Sequence, residues 1–337
     1  MTDMNAMVLT TDRRVVLERR PEPEPRADQV LLEVDLCGIC GSDLHAPAMH
    51  QVYTGGYVLG HESAGRIRAV GAEVEGWQVG QRVAVNPNGN ICGKCDACRA
   101  GRFNFCVPAT LERAVGLQAD GGLAPLLVTS PATLHALPDG MDRIAAGWVE
   151  PVATALRAVR QAGDLTARSV LVIGGGPIGH VVCRLARLAG AAPVFLSEPS
   201  AERRRFAGAS HVDEVFDPGE ASAAIADLGV DVVIECSGSE RGMRAGVEAL
   251  APGGILVVVG GGNVSGLDPM TILLKELRIQ GSFTYVDEFD ETISLLAGGG
   301  LEVADLTTAI VGLEEAPAAF EALGDAGTMK VLVAPNG

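Results

Sequence analysis

Residues 174–179 of this 337-residue chain read Gly-Gly-Gly-Pro-Ile-Gly, between an apolar run ending at Ile173 and another ending at Leu188. No other feature constrains the fold as much. A strand that runs into glycines and restarts as a helix needs a permissive turn at Gly174 and close helix–strand packing at Gly179. At Gly176 the backbone is bare enough for a bulky anion to approach. Pro177 and Ile178 open the helix, whose free N–H groups then face a pyrophosphate. In a chain with 43 glycines the pattern alone is weak, and its place between strand and helix gives it meaning.

The surrounding texture extends this reading. Buried strands are expected over 169–173, 193–197, 231–236, 254–259 and 278–283, with helices over 178–188 and 240–250. Strand–helix repetition with continuously apolar strands indicates a doubly wound parallel sheet covered on both faces. Upstream, Val30-Leu31-Leu32-Glu33-Val34, 64–70 and 82–85 are short apolar or alternating runs punctuated by Gly, Pro and Asn, the pattern of a compact β-rich domain. The Pro21-Glu22-Pro23-Glu24-Pro25 run reads as an extended surface segment. The last fifty residues, including Met329-Lys330-Val331-Leu332-Val333, return to short mixed elements. The chain therefore divides into 1–150, 151–285 and 286–337, the last part rejoining the first domain.

Glu198 stands nineteen residues past Gly179, at the end of the next strand. An acidic side chain there accepts hydrogen bonds from both adenosine-ribose hydroxyls and repels a 2′-phosphate, which favours NAD over NADP. Arg203, Arg204 and Arg205 could instead hold that phosphate, and the preferred reading makes them a solvated helix face.

Six of the eight cysteines precede residue 107, and four of these, Cys92, Cys95, Cys98 and Cys106, follow the spacing C-x2-C-x2-C-x7-C. Four thiolates on one loop can converge on a tetrahedral ion, and a closed four-sulfur shell is the mark of structural Zn²⁺. Gly93 and Gly101 supply the tight turns. An iron–sulfur cluster is the rival reading. Earlier, Cys40, His61 and Glu62 bring one sulfur, one imidazole and one carboxylate, a mixed shell that leaves a position open for chemistry. Glu150, beside Pro151, is a further carboxylate at the domain junction. Cys37 reads as packing, and His50, His135, His180 and His211 as structural.

The net charge of −16 repels phosphate backbones and anionic membrane surfaces, so neither nucleic acid nor membrane is an expected partner. No basic-then-apolar leader opens the chain and no apolar run spans a bilayer. A cytoplasmic location follows as the expectation.

At this point the chain resembles the zinc-dependent medium-chain dehydrogenases over essentially its full length. The resemblance rests on Gly38-Ile39-Cys40-Gly41-Ser42-Asp43-Leu44-His45, Gly60-His61-Glu62, the four-cysteine loop, Glu150-Pro151 and the glycine-rich turn, in that order. Glu150-Pro151 looks like the polyol (sorbitol), threonine and butanediol branch. The resemblance implies a GroES-like β-rich catalytic domain with both zinc sites, a Rossmann NAD domain, two zinc ions per chain, and a homodimer or homotetramer built through an edge strand near Ile279. Cys40 and His61 would be fixed ligands, and Glu62 and Glu150 would bind zinc directly or through its water. Asp43 would orient His61. Hydride would pass between NAD and a zinc-bound alkoxide derived from a secondary alcohol, amino alcohol or polyol, with the proton leaving through Ser42, the nicotinamide ribose and His45. Cys236, Val259 and Ser282 would flank the nicotinamide half. Residues 45–57 and 110–123, with Trp148, would shape the pocket. Thr284 departs from the family, because many polyol-oxidising members carry arginine there. A quinone or enone reductase of the same superfamily, or a non-catalytic cofactor-binding protein, is the alternative. The intact Cys40, His61, Glu62, Ser42 and His45 set argues against both.

Overall fold

The computed structural model describes residues 2–262 and 267–337. These fall into two compact units, residues 1–150 with 285–337, and residues 151–284.

In the first unit, the apolar strand Val30–Gly38 is the hub of the larger sheet. It pairs antiparallel with Glu62–Val70, with Leu126–Thr129 and with the C-terminal strand Lys330–Ala334. Arg82–Val85 and Leu134–Ala136 extend the sheet on one side, and Thr307–Gly312 closes the other, parallel to Lys330–Ala334. A small second sheet joins Asp3–Leu9 to Val15–Pro21 and Tyr57–Val58. Inward residues such as Met7, Leu32, Val34, Ile67, Leu127, Val331 and Val333 form the core. Alternation of buried and exposed side chains is incomplete, because Val30–Gly38 is covered on both faces for most of its length.

The second unit is a six-stranded, all-parallel sheet. Its spatial order is Glu214–Phe216, Val194–Ser197, Val170–Ile173, Val230–Glu235, Leu250–Val258 and Arg278–Gly281. The first strand in the chain thus lies beside both the second and the fourth, so the winding reverses there, which is where such sheets bind ligands. Strand Glu214–Phe216 escaped the sequence reading: with three residues and one exposed glutamate it carries no periodic signal. Strand Leu250–Val258 begins four residues before the expected start at 254, because Gly253 and Gly254 interrupt the apolar run without ending the strand. Among the described residues no helix is long and apolar enough to cross a membrane.

Candidate functional site

Register decides where the nucleotide-site residues meet. Phe216, Ser197, Ile173, Glu235, Val258 and Gly281 lie abreast at the carboxyl edge of the parallel sheet. Glu198, Gly174, Cys236, Val259 and Ser282 are the next residues out, one per strand. The sequence-derived candidates thus form a single row along the edge where open parallel sheets bind ligands. A cavity of about 340 Å³ opens there, and Gly174, Gly176, Glu198, Arg203 and Cys236 line it. Val259 and Ser282 sit farther along the row and do not line this cavity.

The glycines do what the turn needs. Gly174 has φ +96°, and a Cβ on it would strike Ser237. A Cβ on Gly179 would lie 1.8 Å from the Gly174 carbonyl oxygen, whereas one on Gly176 would meet nothing. That empty space above Gly176, at the start of helix Pro177–Leu188, is the fit a pyrophosphate requires. Glu198 is buried, and its two carboxylate oxygens accept the Gly175 and Ser200 N–H groups at 2.7 Å each. This fixes the carboxylate while leaving lone pairs for a ribose. Of the three arginines, Arg205 is exposed, as on a solvated face, whereas Arg203 and Arg204 are half-buried. Arg204 donates to the Glu198 and Pro199 carbonyl oxygens and pairs with Asp217, and Arg203 lines the cavity with a buried, unpartnered Nε. Arg241, which the sequence did not single out, lines it too.

In the first unit, Cys92, Cys95, Cys98 and Cys106 place their sulfurs within 4.8 Å of one another, and none forms a disulfide. Gly93 and Gly101 have φ of +68° and +67°, the turns that wrap the loop. The Cys92 N–H points at the Cys106 sulfur and the Cys98 N–H at the Cys95 sulfur. Donors of this kind favour thiolates, and backbone N–H groups of Lys94 and Cys95 bring Cys92 down to about 6. Burial and the neighbouring thiols push Cys98 up to about 12, and a cation among the sulfurs would favour its thiolate.

Cys40, His61 and Glu62 form the second cluster, again within 4.8 Å. Cys40 ends the loop after Val30–Gly38 and caps the short helix Gly41–His45; His61 and Glu62 enter the adjacent strand. Asp43 is fully buried and accepts the Cys40 N–H at 3.0 Å. Its other oxygen lies 3.4 Å from His61 Nδ1, within ion-pair distance but off the line of a hydrogen bond. Burial is the largest single influence and disfavours the imidazolium, yet Asp43, Tyr53 and Cys40 together outweigh it, and His61 is raised well above its ordinary value. A metal ion would take the place of that proton. One thiolate, one imidazole and one buried carboxylate, with the imidazole already oriented, suit a three-ligand zinc site.

Glu150 lies outside the tight cluster but feels it. Loss of water around its carboxyl, with Glu62 nearby, pushes it up to about 7 against the pull of His61 and Lys330, although the residue keeps some accessible surface. The Tyr285 hydroxyl, itself raised by burial and by Glu150, lies against it. Ser42 is partly buried and His45 exposed, so a hydroxyl at the cluster and an imidazole in solvent share one helix. Cys37, as expected, packs: it takes a hydrogen bond from Ser63, and burial pushes its thiol up to about 12. His180 is likewise structural, held between Ser210 and the Arg203 carbonyl oxygen.

Besides Arg241, three residues escaped the sequence reading or were misplaced by it. Lys330 is buried and pairs with Glu62 while donating to the Ile39 carbonyl oxygen at 3.1 Å. Gly38 makes room for this pair, since a Cβ there would collide with the Glu62 carboxylate. A lone lysine opening the apolar strand Lys330–Ala334 was the available signal. Tyr53 is fully buried and bridges Ser42 and Asp43. Trp148 is no pocket wall; it is fully buried, donates to the Thr307 hydroxyl at 2.8 Å and lies under the Lys330 ammonium. Thr284 adopts φ +48°, rare for a β-branched residue, with its hydroxyl buried and unpartnered.

Comparison with known proteins gives the family and the fold. Residues 26–139 match the alcohol dehydrogenase GroES-like domain, and residues 177–298 the zinc-binding dehydrogenase domain. D-xylulose reductase A of Aspergillus oryzae is 34% identical over 98% of this chain and 96% of its own. A protein of Sinorhizobium meliloti assigned as a zinc-binding dehydrogenase, solved bound to NADP, superposes with a TM-score of 0.92 at 34% identity, covering 99% of this chain and all of that one. L-idonate 5-dehydrogenase of Escherichia coli gives 0.88 at 26% identity, over 99% of this chain and 98% of that one. The chain belongs to the zinc-dependent medium-chain dehydrogenase/reductase family, in its polyol dehydrogenase-like branch. Its two units are the GroES-like β-rich domain and the Rossmann-like parallel-sheet domain of that family, and it is an oxidoreductase with a nicotinamide cofactor.

Proposed function

We propose that this enzyme moves a hydride reversibly between the carbinol carbon of a polyol or other secondary alcohol and NAD, in the cytoplasm, with one structural and one catalytic zinc per chain. The observation that carries the reading is the convergence of Cys40, His61 and Glu62 beside Ser42 and Glu150, in a chain whose relatives are named for polyol and ketose chemistry. A zinc held by Cys40, His61 and Glu62, with Glu150 as the exchangeable neighbour, would supply a Lewis acid that lowers the pKa of an alcohol toward ~7. Ser42 holds the substrate hydroxyl by a hydrogen bond, Asp43 keeps His61 in its orientation, and His45 returns the proton to solvent. Gly174, Gly176 and Gly179 receive the pyrophosphate. Glu198 receives the adenosine ribose and selects NAD against NADP, with Arg203 and Arg241 as the opposing influence. The strand Arg278–Gly281 is exposed throughout at the sheet edge, with Ile279 facing out, and supports assembly of a homodimer or homotetramer.

The test is a panel of polyols, secondary alcohols and amino alcohols, followed at the NADH absorbance with metal content measured alongside. Polyols should head the panel, and Glu198→Ala should shift the NAD/NADP preference toward NADP by about tenfold or more. A wild type that prefers NADP would give the decision to Arg203 and Arg241, and a metal-free enzyme with full activity would overturn the reading.

A further inference from the structure

Glu235 ends the strand Val230–Glu235, in the middle of the row along the carboxyl edge, and has no part in the reading so far. Its side chain is fully buried. One carboxylate oxygen accepts the Ser237 N–H at 2.8 Å and the Ser237 hydroxyl, and the Gly238 N–H reaches both oxygens at 3.1 Å. The donors behind these line up toward it as well. The Gly242 N–H donates to Ser239 Oγ at 3.0 Å, which leaves the Ser239 hydrogen for Ser237 Oγ at 2.9 Å. Both oxygens of Glu235 are thus acceptors, the pattern of an ionised carboxylate. Burial raises its pKa, and the Ser237 and Gly238 donors oppose the rise. Among the described residues no lysine, arginine or histidine pairs with it.

Buried charges are ordinarily paired, and here dipoles alone answer the carboxylate. What covers it is bare backbone. A Cβ on Gly260 would lie 2.9 Å from Glu235 Oε2 and 2.1 Å from the Gly238 nitrogen, and one on Gly238 would strike the Gly261 carbonyl oxygen at 2.7 Å. A Cβ on Gly261 would meet nothing. A charge under so thin a cover, away from water, is felt at the edge above it. A dinucleotide bound across the winding reversal lays its second half over the strands on this side. With the adenosine at Glu198, that half is the nicotinamide. Its ring is a cation when oxidised and neutral once it holds the hydride. We propose that Glu235 is the fixed counter-charge of the oxidised ring, raising affinity for NAD⁺ relative to NADH and so loosening the reduced cofactor that alcohol oxidation leaves behind.

This rests on the proposed placing of the nicotinamide half beside Cys236 and Val259. The experiment measures dissociation constants for NAD⁺, NADH and ADP-ribose by titration calorimetry, with no alcohol present and at mildly alkaline pH. The enzyme is zinc-loaded throughout, so the metal's own charge cancels between variants. Glu235→Gln removes the charge at nearly constant size. It should lower the NAD⁺/NADH affinity ratio by about tenfold, the strength of two unit charges about 10 Å apart at an effective dielectric of roughly 20. ADP-ribose lacks the ring and reports what the altered turn does by itself. Ser237→Ala disturbs the same turn but keeps the charge, so its ratio should stay within about twofold of wild type. A change below about threefold in Glu235→Gln would overturn the inference, as would an equal shift in Ser237→Ala. Uniform weakening of all three ligands would make Glu235 a brace of the turn and would leave the proposed function standing. Should Glu235→Gln fail to fold, Glu235→Thr, a smaller neutral residue whose hydroxyl can still accept one N–H, should give the same shift. An unchanged ratio there is equally fatal. If the wild type takes NADP, then NADP⁺ and NADPH replace the pair with the same shift expected. A wild type that binds neither cofactor would overturn the proposed function, and the inference with it.

Discussion

The two ligand clusters of the first unit differ in how they are put together. Cys92, Cys95, Cys98 and Cys106 lie within fifteen residues of chain, and short turns at Gly93 and Gly101 suffice to gather them. Cys40, His61 and Glu62 come from separate stretches that meet only because Val30–Gly38 pairs with Glu62–Val70, and the charge of Glu62 is answered by Lys330 from the far end of the chain. The first cluster is closed and made of one ligand type. The second is mixed, surrounded by titratable groups, and dependent on the sheet. A locally built site can be stable and chemically silent. An assembled one can be tuned by residues far away in sequence.

The largest effect that bears on this contrast is on catalysis. Cys40→Ala or His61→Ala should remove one zinc and lower turnover on the order of a thousandfold or more, with cofactor binding and the second zinc retained. Metal analysis with single-turnover kinetics would check this, and loss of both metals would show that the two clusters fold as one.

Cys95→Ala probes the local site. It should cost the other zinc and lower Tm by more than about 5 °C, with residual activity in proportion to folded protein. A sulfide-containing chromophore in the wild type would instead identify an iron–sulfur cluster.

Lys330→Met asks who holds the Glu62 charge. Leaving a buried carboxylate without its partner should destabilise by about 3–5 kcal/mol, and adding Glu62→Gln should recover most of it. Chemical denaturation of metal-free and zinc-loaded protein would measure both. A loss below ~1 kcal/mol in the loaded enzyme alone would assign the charge to the metal.

The smallest effect is in the second unit, where Asp231 accepts from the Ser169 N–H and hydroxyl and clasps two adjacent strands. Those bonds hold its carboxyl below the ordinary value. A lowered folded-state pKa stabilises above the unfolded value and is lost as pH falls through the folded one. Asp231→Asn should therefore cost under ~1 kcal/mol at neutral pH, given the solvent around the pair, and nothing near pH ~2. Equal destabilisation at both pH values would make the effect steric.

Much of this was legible before any coordinates. The glycine turn, the four-cysteine loop and the Cys40–His45 stretch are local patterns, in which residue type and spacing state the chemistry directly. Glu198 was legible as well, because one strand separates it from the turn it serves. Tyr53, Lys330 and Arg241 were not. A tyrosine in a polar loop and a lysine at the head of an apolar strand mean nothing until pairing sets their neighbours. Trp148 was misplaced for the same reason: a large aromatic near a proposed ligand can wall a pocket or fill a core, and burial decides which.

The sequence by itself thus determined the candidate ligand types, the glycine turn and the division between β-rich and parallel-sheet architecture, since these depend on contacts within a few residues or on periodicity. Tertiary structure alone decided the polarity of the site. The antiparallel pairing of Lys330–Ala334 with Val30–Gly38 carries an ammonium to Glu62, and the Arg13-pinned loop carries a phenol to Ser42 and Asp43. Lys330 meets Glu62 across 268 residues of chain, whereas Tyr53, 11 residues from Ser42, reaches it because the loop folds back, and only burial, by excluding water, makes such partners decisive.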